Sequence, residues 1–548
     1  MTEHSSQIPK TAPRIDRWST GAVAIAAAVL LPIICVIWFA FHPVDNIWPH
    51  LWATTLPRYL TNTGVLMATV GFGAAVTGTG AAWFVVMYQF PGRRWLQWAL
   101  LLPLAVPAFV GAYALVDFLE YAGPVQTGLR QLFGWSSAQE YWFPNIRTRG
   151  AAIIVLSASL YPYVYILARA AFREQSAASF DVARALGAGA WGRFWRVGLP
   201  LARPAIAAGT AVVMMETVND FGTVDYFAVQ TLTTGIFTVW LQAGNLGGAA
   251  QLASVMLLII VALVTLEKLS RRRSRSYTNA RNIRPVAPVQ LTRWRGRTVA
   301  VLTALPVLVG FVMPVLVLIS HAFDAAQWAE PGLLLALWRT IWVAGIAAIV
   351  TVSGGVFMVY GVRLSGKRLP ALLMPVTAIG YAAPGAVLAL GILVPLASFD
   401  NMVADFIYAL TGWDPGLILT GSAAVLILAY SVRFFAIGQG TADAALARVA
   451  PSLAMASRSL GHTAGATLRA VHLPLVRASI GSALLLVFVD AVKELPATLL
   501  LRPFNFDTLA TRVHGKASLE NLAEAAPAAL MVTLVGLCAV ALLARTNR

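Results

Sequence analysis

Twelve stretches of this chain are each apolar for about the length of a bilayer crossing, and no other feature restricts its fold as strongly. A helix rising about 1.5 Å per residue needs about 20 residues to cross about 30 Å of hydrocarbon. Runs of that length lie near 21–41, 63–87, 96–118, 151–172, 204–226, 247–267, 298–320, 338–361, 370–397, 415–437, 478–500 and 525–544. In lipid the backbone must satisfy itself, which leaves helices or closed barrels, and runs this long are helical. The fold class is therefore all-α, a polytopic membrane protein with about twelve transmembrane helices. Composition agrees: the 548 residues are 58% hydrophobic and 11% charged, and the mean hydropathy is +0.73. The run from Gly21 to Phe41 is too long for a signal-peptide core and lacks a clear cleavage site, so it reads as a retained first span.

The net charge of +17 is carried mainly by short segments between the runs, so it follows the positive-inside rule rather than a nucleic-acid footprint. Basic residues gather in alternate connections: Arg93 and Arg94, Arg169 through Arg203, 268–297, Arg363 through Arg368, Arg433 through Arg477, and the C-terminal Arg545 and Arg548. These connections and both termini are expected on the cytoplasmic side. Segment 268–297 holds ten basic residues, two prolines and no acid, and reads as a linker between a first unit, 1–267, and a second, 298–548. Its arginines suit anchoring to anionic lipid better than binding RNA. Cys35 and Cys538 lie far apart in apolar runs, which gives neither a disulfide framework nor a cysteine metal site.

The two units repeat each other. Shifting "DVARALGAGAWGRFWRVGLPLARPAI" (181–206) by 274 residues lays it on "MASRSLGHTAGATLRAVHLPLVRASI" (455–480) without a gap. Arg184, Leu186, Gly187, Val197, Leu199, Pro200, Leu201, Arg203 and Ile206 meet Arg458, Leu460, Gly461, Val471, Leu473, Pro474, Leu475, Arg477 and Ile480. Both copies fall between the fourth and fifth spans of a unit. An even number of spans per unit gives the units one orientation, so the repeats are parallel. The copies are too short and basic to span, and Gly followed by Leu-Pro divides them into helix, turn and helix. Two readings stand for such a loop: a docking element for a soluble partner, or an interfacial helix anchored by Trp191, Phe194 and Trp195.

The spacing resembles the signature of permease subunits of binding-protein-dependent ABC importers: Glu-Ala-Ala, three residues, Gly, nine residues, Ile, one residue, Leu-Pro. The first copy reads Asp181, Val182, Ala183, Gly187, Val197, Leu199, Pro200, and the second Met455, Ala456, Ser457, Gly461, Val471, Leu473, Pro474. The acidic position is kept as Asp181 but is lost at Met455. The resemblance covers nearly the whole chain as two fused permease units. It implies the type I importer permease fold, with ATPase-coupling loops at 177–201 and 451–475. Coupling residues carried over are Asp181, Ala183, Gly187, Leu199 and Pro200, and Ala456, Ser457, Gly461, Leu473 and Pro474. Segments 160–176, 219–240 and 493–515 look most like fused ferric-iron permeases, and fused thiamine permeases share the architecture.

Nothing in the chain predicts ATP hydrolysis of its own. "GVRLSGKR" (361–368) nearly matches a P-loop, but Arg368 replaces the Mg²⁺-binding hydroxyl and no strand precedes it. Histidines lack zinc-site spacing, and His462 and His472 are expected to face water or the ATPase.

Acidic residues inside spans are the remaining anomaly. The 274-residue shift lays Glu216 on Asp490 and Asp220 on Glu494, each pair four apart on one helical face near the bilayer midplane. Charges there normally face protein or a watery path. One reading is a translocation path formed by Glu216, Asp220, Asp225, Asp490, Lys493 and Glu494, with transient Fe(III) contacts at Glu216, Asp220, Asp490 and Glu494. The other is structural pairing, with Lys493 neutralising one acid.

The resemblance then implies a permease of the bacterial inner membrane. A periplasmic binding protein would supply ferric iron, two ABC ATPase subunits would dock on the cytoplasmic face, and membrane lipid would surround the chain. It would bind no cofactor, since ATP and Mg²⁺ belong to the ATPases. Thiamine or another small solute is the alternative cargo. A twelve-span transporter driven by an ion gradient, with the same acids as ion-coupling groups, is the alternative class, and a scaffold without transport explains neither the repeat nor the acids.

Overall fold

A computed structural model describes residues 17–272, 286–323, 325–365, 368–377, 380 and 383–546. Residues 1–16, Arg548 of the C-terminal basic pair, the linker centre 273–285, and Gly366 and Lys367 of the P-loop-like turn lie outside the described residues. In the first half, α1 (Arg17–Phe41), α2 (Trp48–Thr54) and α3 (Leu56–Met87) lead to β1 (Tyr88–Gln89). There follow α4 (Arg93–Ala99), α5 (Ala108–Leu119), α6 (Pro124–Phe133), α7 (Arg149–Arg173), α8 (Ala177–Ala185), α9 (Ala190–Arg193), α10 (Leu199–Asn219), α11 (Gly222–Tyr226), α12 (Leu232–Phe237) and α13 (Leu246–Arg272).

The linker contributes β2 (Val289–Gln290), which pairs in parallel with β1. The second half runs α14 (Arg293–Val307), α15 (Met313–His321), α16 (Ala325–Trp328), α17 (Leu333–Ser365), α18 (Arg368–Thr377), α19 (Gly385–Thr411), α20 (Ala424–Ala447) and α21 (Pro451–Ser459). It closes with α22 (Ala464–Thr467), α23 (Leu473–Val492), α24 (Pro496–Leu501), α25 (Leu509–Ala517) and α26 (Leu522–Thr546). Among the described residues, 11 helical stretches are long and apolar enough to span, and a twelfth is the pair Arg93–Ala105 and Ala108–Phe133, bent by 94°.

That bend revises the continuous span expected at 96–118. Pro107 has no N–H to donate and sits extended (ψ 142°) ahead of α5, so the helix must restart there. Pro384 does the same ahead of α19 (ψ 149°), and the helix expected at 370–397 is divided accordingly. The spans expected at 204–226 and 478–500 also end early, α10 at Asn219 and α23 at Val492, and each is followed by a short helix.

Small polar devices repeat between the halves along with the helices. Thr231 and Thr508 open α12 and α25 with capping boxes closed by Thr234 and Thr511. The first N–H of each helix, at Leu232 or Leu509, donates to a buried hydroxyl on a long span, Thr63 (3.1 Å) or Thr340 (2.8 Å).

Packing does not respect the division into units. In each half the second span lies against the fourth and fifth: α3 against α7 and α10, and α17 against α20 and α23. The first span of each half crosses over instead. Besides α13, α1 packs on α17, α18 and α19, and α15 packs on α5 as well as α26. A single buried cluster accordingly runs from Val29 and Val36 through Val343 and Leu388 to Val532. Close crossings need glycine, as at Gly391, where a β-carbon would strike the carbonyl oxygen of Pro32 on α1.

Candidate functional site

A cavity of about 120 Å³ lies between the halves at the breaks in the spans. The turn at Pro103–Pro107, α7 through Ser159 and Tyr163, and the end of α10 wall it from one side. Arg433 and Phe434 of α20 and the end of α23 wall it from the other. The structure brings Glu216, Asp220, Asp490, Lys493 and Glu494 to this one cavity. Asp225 is exposed on α11 and is not among the lining residues.

The acids are not two matched helical faces. Asp220 lies beyond the last turn of α10 with extended backbone (ψ 133°), so the four-residue spacing from Glu216 no longer measures a helix. Its Oδ1 accepts from the N–H groups of Thr223 (3.0 Å) and Val224 (3.1 Å), and Oδ2 from the Thr223 hydroxyl (2.9 Å). Glu494 does the same for α24, accepting from Ala497 N–H (3.1 Å), Thr498 N–H (3.1 Å) and the Thr498 hydroxyl (2.9 Å). Each carboxylate thus satisfies the open N–H groups of a helix start inside the membrane, where no water substitutes for them. Negative charge is also favourable at that end of the helix dipole.

The cations among the described lining residues, Arg433 and Lys493, belong to the second half. Lys493 Nζ meets Asp490 Oδ1 at 2.9 Å, so the pairing reading of the sequence describes this contact. Its counterpart in the first half is Asn219, whose Oδ1 is buried without a hydrogen bond. Arg433 pairs with Glu494 at 3.1 Å with both side chains almost fully enclosed, at 10% and 1% exposure. From the sequence alone Arg433 is expected at the start of a cytoplasmic connection. It lies instead in the interior of α20, because that helix starts at Ala424 and not at 415. The detectable signal was Glu494 itself, since an acid buried in a span requires a partner. The cavity carries two more carboxylates than cations.

The two coupling-type loops share their geometry. Asp181 and Ala183 lie on α8, and Ala456 and Ser457 on α21. Gly187 (φ +82°) and Gly461 (φ +85°) end these helices in the left-handed conformation. There Ala188 N–H donates to Ala183 (2.9 Å) and His462 N–H to Ser457 (3.2 Å), closing the helix end in the same way. The π-helical turns 194–198 and 468–472 follow, and Leu199-Pro200 and Leu473-Pro474 open the next spans. A widened turn accommodates a proline that an α-helical interior would reject. Leu186 and Leu460 project at 82% and 79% exposure, at equivalent positions beside the glycines. His462 is exposed and contacts Ser457 (3.0 Å), but His472, expected to face water or the ATPase, is buried against Tyr360 at the end of the π-turn. The P-loop-like segment begins as the last turn of α17, so no strand leads into it.

These features define a class: a polytopic helical permease, built of two parallel repeats around an intramembrane polar cavity, with a matched pair of loops on one face. Residues 70–276 match the sequence model of the binding-protein-dependent transport system inner membrane component. Fe(3+)-transport system permease protein FbpB 2 of Haemophilus influenzae is 25% identical over 496 residues, 88% of this chain and 89% of that protein. Molybdenum transport system permease protein ModB of Mycobacterium bovis is 30% identical over 253 residues, 43% of this chain and 91% of that protein. A probable sulfate transport system permease protein cysT of Chlorokybus atmophyticus is 26% identical over 211 residues, 38% of this chain and 70% of that protein. The chain belongs to the binding-protein-dependent transport permeases, in a fused two-unit form that the ferric relative matches along most of its length.

Proposed function

We propose that this permease imports ferric iron. A periplasmic binding protein delivers the cargo, and ATP is hydrolysed on two separate subunits seated under 177–201 and 451–475. The exposed Leu186 and Leu460 are the apolar tips those subunits grip. The observation that carries the cargo assignment is the excess of carboxylates over cations in the cavity between the halves. Similarity to a ferric permease over 88% of this chain supports it. Glu216 and Asp490 contact cargo in passage, while Asp220 and Glu494 chiefly shape the short helices beside it. The chain binds no cofactor, lies in the bacterial inner membrane and keeps both termini cytoplasmic.

Import of an oxyanion is the second reading. Arg433 and Lys493 in the same cavity favour it, as do the half-length molybdenum and sulfate relatives. The deciding experiment reconstitutes the permease with its ATPase and binding protein in liposomes, and compares ATP-dependent uptake of labelled ferric iron, molybdate, sulfate and thiamine. Iron uptake that falls in Glu216→Gln and Asp490→Asn, with the complex still assembled, is the expected result. Saturable uptake of an oxyanion but not of iron would reverse the assignment.

A further inference from the structure

A second polar cavity, of about 220 Å³, opens on the face that bears the coupling loops and is unrelated to the central one. Arg93 at the start of α4 and Arg169 and Arg173 in the last turns of α7 line it, together with Gln97. No acidic residue is among its lining residues, and among the described residues none of the three arginines forms an ion pair. Three guanidinium groups gathered without a carboxylate repel one another unless an anion joins them. Most of their donors remain for such an anion. Arg93 gives Nε to the Val85 carbonyl (2.7 Å) and Arg169 one nitrogen to Gln97 Oε1 (3.2 Å), whereas each guanidinium has five N–H groups.

The surroundings indicate where the anion comes from. Trp95, at 83% exposure, and Trp98, beneath Arg169 at 5.3 Å, mark α4 as lying at headgroup depth. Val85, Phe172 and Pro288 give the cavity an apolar wall beside its charged one. We propose that Arg93, Arg169 and Arg173 bind the phosphate of an anionic phospholipid headgroup, making this a specific lipid site at the root of the first coupling loop.

The test titrates the purified full chain in neutral detergent with phosphatidylglycerol and counts retained lipid by native mass spectrometry. Affinity is expected to fall about fivefold in Arg173→Gln and roughly a hundredfold when all three arginines become Gln. Arg94→Gln, on the same helix but outside the lining, should stay within about twofold of wild type, as a charge that only adds to the general surface field. Arg173 is exposed, so its variant decides the question even if the triple variant fails to fold. Unchanged lipid retention in Arg173→Gln, or an equal loss in Arg94→Gln, overturns the proposal. So does inorganic phosphate that binds wild type as tightly as the lipid and is lost in the same variants, because the site would then belong to a soluble anion.

Discussion

Glu494 holds three groups at once: the guanidinium of Arg433, the start of α24 and, through Thr498, the hydroxyl of Tyr430 (2.5 Å). Breaking such a buried pair from one side leaves a charge that has lost both its water and its counter-ion. Arg433→Met is therefore expected to cost about 3–5 kcal/mol, and adding Glu494→Gln should restore most of it. Thermal unfolding of the purified variants measures this, and equal melting temperatures for the single and double variants would sink the argument. A second carboxylate has the opposite setting. Glu330, outside the spans, is opposed by burial, yet its bonds to Lys516 (2.8 Å) and Arg512 (2.8 Å) outweigh that and hold its pKa below the ordinary 4.5. Its contribution to stability is thus complete above the unfolded value and is lost as pH falls through the lower folded one. The melting-temperature gap between wild type and Glu330→Gln should be widest near neutrality and close in acid; a gap that widens below pH about 4 contradicts this sign.

At the scale of elements, α8 and α21 end on left-handed glycines with no neighbour within 4 Å of the missing β-carbon. Alanine there meets only backbone strain, of roughly 1–2 kcal/mol. Gly187→Ala and Gly461→Ala should speed exchange of the Ala188 and His462 amides, respectively, by about tenfold while leaving the spans unchanged. Exchange unaltered at both amides would mean that these turns are not held by their glycines. The loops were legible because glycine and proline leave a fixed spacing in the sequence, and a gapless repeat doubles the signal. The bent third span was less legible, because apolar runs continue across Pro107 and hydrophobicity carries no record of direction. Arg433 was missed for a related reason. A lone arginine near the end of an apolar run looks like a flank until the start of α20 is known, and the run was read as starting at 415 rather than at Ala424. Glu216 and Asp490 were legible as a matched pair, but the capping by Asp220 and Glu494 depends on where each helix stops, which side-chain periodicity does not record.

For the whole molecule, the exchanged first spans make the two halves one body rather than two joined units. Gly391 is the tightest test, since a methyl there meets the backbone of α1 and not a side chain that can swing away. Gly391→Ala should destabilise the protein by about 1–3 kcal/mol, as overpacking does. Gly345→Ala on α17, with open space at the same atom, should be neutral or slightly stabilising, since alanine suits a helix interior better than glycine. Melting curves of the two variants provide the comparison, and equal shifts would argue against a rigid crossing between α1 and α19.

The short ladder between β1 and β2 breaks this symmetry. It fastens the linker beside the first loop, where Val286, Ala287 and Val289 share a hollow with Asp181, Arg184 and Arg193. The strand that ties the halves together therefore belongs to one loop and not to the other. Any partner protein that engages both loops meets two different addresses, so two identical copies of that partner would be distinguishable by position.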